Sequence, residues 1–306
     1  MNTESNALPG TLETQMIVTA DISAVRRFYW SVRRELWENR SIYLAPLAAA
    51  SVFLFAFLIN MLTLRRRIGA SLLDPAQAHD WLNERYELSA SLIMGIGLLV
   101  GIFYSLDALY GERRDRSILF WKSLPVSDLI AVLSKFTVPL LILPLVSFAI
   151  TVAAQFLMLV VSSAMLAGSG VSIATLWAQV GFLRVSVIWL YHLLTVHGLW
   201  YAPFYGWLLM ISAWAPRAPF MWAFLPSFVI WGVEKLAFNT SHFLAMLQYR
   251  LLGPASGMPT EHHPKDFSAT LIPHHFFTEP GLWIGIVVAA AFLFAAMRLR
   301  RYRGPI

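Results

Sequence analysis

Long stretches of this chain carry almost no charge, and that constrains its fold more than any other feature. Residues near 42–64, 88–110, 135–166, 184–214, 220–237 and 281–297 form six apolar runs. A helix crosses a ~30 Å hydrocarbon core with roughly 17–25 residues, so each run is long enough to span a membrane. Only 13% of the 306 residues are charged and 58% are hydrophobic, against about 25% and about 45–50% in soluble domains. One soluble core of this size cannot hide the excess. Helices satisfy their own backbone polar groups in lipid, so the expected fold is an all-α integral membrane protein with about six transmembrane helices.

The polar residues between these runs supply the expected topology. Residues 1–20 read as a flexible N-terminal tail. No cleavable signal peptide is expected, because the first apolar run starts only after about forty residues and is too long for one. Residues 21–41 read as an amphipathic interfacial helix. Ile22, Val25, Tyr29, Val32 and Leu36 recur at helical spacing, while Arg26, Arg27, Trp30, Arg33, Arg34 and Trp37 occupy the other faces. A basic helix edged with aromatics fits the headgroup layer of a membrane. The six-span domain covers 42–298 and a basic tail covers 299–306. Lys and Arg concentrate in the N-terminal helix, the 111–124 segment, the 215–219 turn and the tail, which places these and both termini on the cytoplasmic side. Arg65, Arg66 and Arg67 then lie on the outer side. The third run should kink at Pro139 or Pro144. The stretch 173–214 is too long for one span and should break, with Gly198 and Pro203 as the expected kinks. The loop 238–280 should carry short helices, one of them over His242–Leu252.

Composition also narrows the chemistry. The net charge of +6 sits in clusters at span ends, as positive-inside topology requires, so no nucleic-acid partner is expected. Cys is absent, which removes disulfides and thiolate chemistry. No Gly-x-x-x-x-Gly-Lys phosphate loop occurs, so any ATP must be bound by a partner. Arg184, His192 and His197 are polar residues within the fourth run, where ionisable groups mark pathways or interhelical hydrogen bonds. His262, His263, His274 and His275 gather in the 238–280 loop without a recognised metal-ligand spacing. The alternatives are a membrane enzyme built on these histidines, or an ion-coupled transporter, which would normally show internal repeats that this chain lacks.

One polar block organises the rest. Glu112 to Ser117 lies between two apolar runs and must emerge at a membrane face. Ile118, Leu119, Phe120 and Trp121 then suggest a short surface helix, ended by Pro125, with Ser127 capping the next helix. The pattern Glu112-Arg-x-Asp115-x-Ser117-Ile-Leu, followed by Leu124-Pro-Val-Ser127 and Lys135, resembles the intracellular coupling segment of type-2 ABC exporter permeases. That family usually has Gly where this chain has Arg116. The resemblance implies a permease subunit in a bacterial inner membrane, working with a second copy or a sibling permease and two ABC ATPase subunits. ATP and Mg would be bound by those subunits, with no cofactor in this chain and lipid as its surroundings. It further implies that Glu112, Arg113, Arg114, Asp115, Arg116, Ser117, Ile118, Leu119 and Trp121 enter an ATPase groove. Glu112 and the arginines would make charge-assisted contacts there, with Ile118, Leu119 and Trp121 as the apolar anchor. On this reading Glu112→Lys uncouples hydrolysis from transport without preventing insertion. The substrate, whether lipid, peptide, drug or ion, stays open.

Overall fold

A computed structural model describes residues 23–69, 75–123, 126–167, 173–180, 182–252 and 276–306. All regular structure among the described residues is helical. The elements are α1 (Ala24–Glu38), α2 (Ser41–Gly69), α3 (Pro75–Asp107), α4 (Tyr110–Arg114), α5 (Ile118–Ser123), α6 (Asp128–Thr137) and α7 (Leu143–Leu166). They continue as α8 (Ile173–Val180), α9 (Phe182–His192), α10 (Gly198–Trp200), α11 (Ala202–Trp214), α12 (Pro219–Phe238) and α13 (His242–Leu252). A 3₁₀ turn, Phe276–Thr278, precedes α14 (Pro280–Tyr302).

Among the described residues, five helical segments are long and apolar enough to cross a membrane: Ser41–Leu64, Glu84–Arg114, Asp128–Leu166, Pro219–Phe238 and Pro280–Tyr302. The fourth expected span, 184–214, is instead a succession of short helices. A π-helical turn at Leu193–His197 interrupts it, and Tyr201 separates α10 from α11. Gly198 and Pro203 do sit at these breaks, Pro203 in the first turn of α11, where its missing N–H costs no helical hydrogen bond. At 1.5 Å per residue α11 is about 20 Å long, short of a full crossing. The third run is interrupted by a π-helical turn at Val138–Ile142 that contains Pro139. The first hairpin differs from expectation. The helices run on to Gly69 and start again at Pro75, so Arg65–Arg67 and most of the expected loop are helical.

Two cores share α3. Phe57, Met61, Leu82, Tyr86, Met158 and Leu159 join α2, α3 and α7. Leu106, Val132, Tyr205, Leu208, Leu209 and Ala289 join α3, α6, α11 and α14. The outward surface is apolar, with Val52, Phe55, Phe228 and Val287 each about two-thirds exposed. Small hydroxyl residues are buried instead, Ser89, Ser105, Ser147, Ser162 and Ser212 among them. Lipid offers no hydrophobic drive for burial, so helices meet through small residues that let backbones approach. Gly97 and Gly101, four apart on α3, do this: the first faces Ser147 and Leu143, the second Tyr205 and Pro139.

Candidate functional site

The polar end of the bundle is organised by carboxylates and cations that have left the surface together. Glu35 of α1 is 1% exposed and accepts a hydrogen bond from Lys135 Nζ of α6 at 2.8 Å. Lys135 also reaches Glu112 Oε1 of α4 at 3.1 Å. Glu112 in turn lies 3.6 Å from Arg34 of α1 and 3.4 Å from Arg300 of α14. Arg300 pairs with Asp128, and Arg34 with Glu35. The Tyr104 hydroxyl of α3 donates to the second Glu35 oxygen at 2.9 Å. Glu35, Glu112 and Asp128 are thus balanced by Arg34, Lys135 and Arg300, six groups that are neutral together, and the exposed Glu38 adds a longer contact to Arg34 at 3.7 Å.

Neutrality is what makes this burial tolerable. An isolated buried charge costs several kcal/mol, while a hydrogen-bonded pair recovers most of that. Burial alone would raise the Glu35 carboxyl, but Lys135, and then Arg34, hold it below its ordinary value. The sequence dictates the local placement. Ser23 caps α1 by accepting from the Arg26 N–H, and Ser127 caps α6 by accepting from the Ile130 N–H, as expected for Ser127. The α1 face turned to the bundle carries Ser31 and Glu35, both buried. Val25 and Tyr29 of the expected apolar stripe are exposed, as are Arg26, Trp30 and Trp37. Arg33 lies 4.9 Å from the ring centres of both Trp30 and Trp37.

Helices α4 and α5 are locked to this cluster. The Arg34 guanidinium sits 3.9 Å over the Trp121 ring of α5. Lys122 donates to the Arg301 carbonyl at 3.3 Å. Arg113 has a different task from docking: it donates to the Ala213 and Ala215 carbonyls at the end of α11, at 2.6 and 3.2 Å. Arg303 donates to the Trp214 carbonyl between them. The Ser212 hydroxyl accepts from the Leu109 and Tyr110 N–H groups at 3.0 and 2.9 Å. The unsatisfied carbonyls of a helix C-terminus are thereby capped by two cations.

The expected docking set therefore divides. Glu112 and Arg113 are buried, as is Ile118 at 1% exposure. Glu112 and Arg113 are held inside by partners from other helices, and Ile118 is covered as well, so none of the three is presented to a groove on another protein. Glu112→Lys would put a fourth cation among Arg34, Lys135 and Arg300, which makes it a folding variant rather than a clean docking variant. Arg114, Asp115, Arg116 and Leu119 do face outward, with Ser117 and Trp121 half-buried. Phe120, expected on the surface helix but not in the anchor, is 59% exposed beside Leu119 at 60%. Arg114 pairs with Asp107 at 3.6 Å and Asp115 at 3.0 Å. Arg116 has φ 58, the left-handed conformation that favours glycine.

The fourth-run residues are less informative. Arg184 and His192 lie on α9, and their side chains fall outside the described residues. His197 ends the π-turn with its ring 4.9 Å from that of Tyr201. His262, His263, His274 and His275 are also outside the described residues, and among the described residues no group of three or more His, Asp or Glu could hold a metal. Glu35, Asp128 and Arg300 were not expected as site residues. The one signal for Glu35 is an acid set within the arginines of α1. Comparison with family models, with curated proteins and with solved structures finds no match for this chain.

Proposed function

We propose that this chain is the permease subunit of an ATP-driven exporter of the type-2 ABC kind, coupled to separate ATPase subunits through the outward face of α4 and α5. The observation that carries this reading is an exposed apolar pair, Leu119 and Phe120, on a six-residue helix whose other side is tied to α1 and α14. Exposed aromatics flanked by Arg are frequent anchors of protein interfaces. Arg114, Arg116 and Lys122 surround this pair and suit an acidic rim on the partner. The left-handed turn at Arg116 supports the family resemblance, because that is the position where the family carries Gly.

On this reading closure of the ATPase dimer moves α4 and α5. The Glu112 cluster transmits the movement to α1, α6 and α14, and so to the spans. The polar end of the bundle with both termini then faces the cytoplasm of a bacterium, and the outward Arg33, Trp30 and Trp37 lie among lipid headgroups. A second permease copy or a sibling completes the pathway.

The test is co-expression with ATPase genes neighbouring its own, followed by purification and an ATPase assay. The wild-type chain should bring an ATPase with it. Leu119→Asp with Phe120→Asp should abolish that association while leaving insertion and thermal stability unchanged, since both side chains are exposed. Retention of the complex by the double variant would sink the docking assignment.

A further inference from the structure

One helical turn beyond Lys135 of the charge cluster, two π-helical turns approach one another inside the bundle, Val138–Ile142 and Leu193–His197. Such turns interrupt the regular helical ladder and recur at functional positions. Beside them lies a cavity of about the size of one water molecule, lined by Gly97, Leu143, Ser147, His197 and Tyr205. Ser147 and Tyr205 are both 0% exposed, and neither hydroxyl has a hydrogen-bond partner among the described residues. The glycine pair of α3 makes room for both. A Cβ at Gly97 would come 2.4 Å from the Ser147 oxygen, and one at Gly101 would come 3.4 Å from the Tyr205 oxygen.

Ser147 and Tyr205, whose hydroxyls are both buried, line one small space together with His197, among mostly apolar neighbours. A buried hydroxyl left without a partner is costly, and water is retained where it finds two to four polar partners in a space of about this size. We propose that this space is a binding site for an ordered water, which accepts from the Tyr205 hydroxyl and donates to Ser147. Water is the ligand class that fits: neutral, able to donate and accept, and no larger than the cavity. The bound water bridges α7 and α11 across the Gly97–Gly101 face of α3. It lies where both helical ladders are interrupted, so the two helices can shift against each other without stranding either hydroxyl.

The purified full-length chain provides the test, through the melting temperatures of Tyr205→Phe, Ser147→Ala and the double variant. If water binds there, each single variant loses one of its ligands and melts lower by about 2–4 °C. The double variant should melt little below either single one, because both substitutions remove the same interaction. An unchanged or raised melting temperature in the single variants overturns the proposal, since it would mean that the hydroxyls are unsatisfied and better removed. X-ray radiolytic labelling gives an independent readout, because it oxidises side chains that touch bound water. Tyr205 should be labelled in the intact protein and several-fold less in Ser147→Val, which fills the space. Absence of labelling at Tyr205 in the intact protein likewise overturns the assignment.

Discussion

Arg116 shows how one residue can carry backbone strain. A non-glycine residue in the left-handed region costs on the order of 1–3 kcal/mol, and its exposed side chain makes no ion pair among the described residues that would be lost on replacement. Arg116→Gly should therefore raise stability by up to about 1 kcal/mol, whereas Arg116→Val should lower it by more than that. Thermal unfolding of the purified variants decides, and a destabilised glycine variant would contradict the turn geometry. Glu35 makes a second residue-scale prediction. Its carboxyl is depressed below the unfolded value of about 4.3, so the folded state binds that proton less readily. The stabilisation is full above about pH 4.3 and is lost as the pH falls through the lower folded value. Glu35→Gln should flatten that acid limb. It should also cost about 3–5 kcal/mol near neutral pH, because Lys135 keeps its burial and loses its closest partner.

At the scale of elements, the end of α11 gives the sharpest test. Arg113 satisfies two carbonyls there with charge-assisted hydrogen bonds, each worth about 1.5–3 kcal/mol. Arg113→Met should lower stability by roughly that amount and speed amide exchange in the Leu109–Arg114 segment, which would lose its hold on α11. Unchanged exchange would mean that Ser212 alone fixes the junction. The apolar runs, the Ser127 cap and the His242–Leu252 helix were legible in the sequence, because each depends on neighbours within one or two helical turns. The interior position of Glu112 was not. A polar block between apolar runs reads as surface, and only the folded chain brings it to Arg300, 188 positions away, and Glu35 to Lys135, 100 positions away. The fourth run was legible in part. Its break near Gly198 and Pro203 was expected, but hydropathy cannot record that a π-turn at Leu193–His197 and a break at Tyr201 make it.

At the scale of the whole molecule, the charge cluster makes a mechanical claim. α1 and the α4–α5 element share Glu112, Arg34 and Trp121, so on the proposed permease reading they should move as one body under a push on α5. Separating them would leave Glu35, Lys135 and Glu112 with incomplete pairing, and the penalty for such a broken buried pair is about 3–5 kcal/mol. The chain has no Cys, so a pair of introduced cysteines carries spin labels without background. Labels at Val25→Cys on α1 and Ser123→Cys on α5 report on this body, both positions being exposed. Their separation in the ATPase complex should stay within the width of the label distribution when ATP is added. The distance from Val25→Cys to Leu183→Cys on α9, also exposed, should change, because that pair compares the lever with the span region it drives. A change in the first distance would show that α1 and α5 separate during the cycle. The cluster would then be a clasp that opens rather than a rigid joint, even with the ATPase partnership intact. Constancy of both distances would remove the lever altogether and leave the cluster a purely structural role.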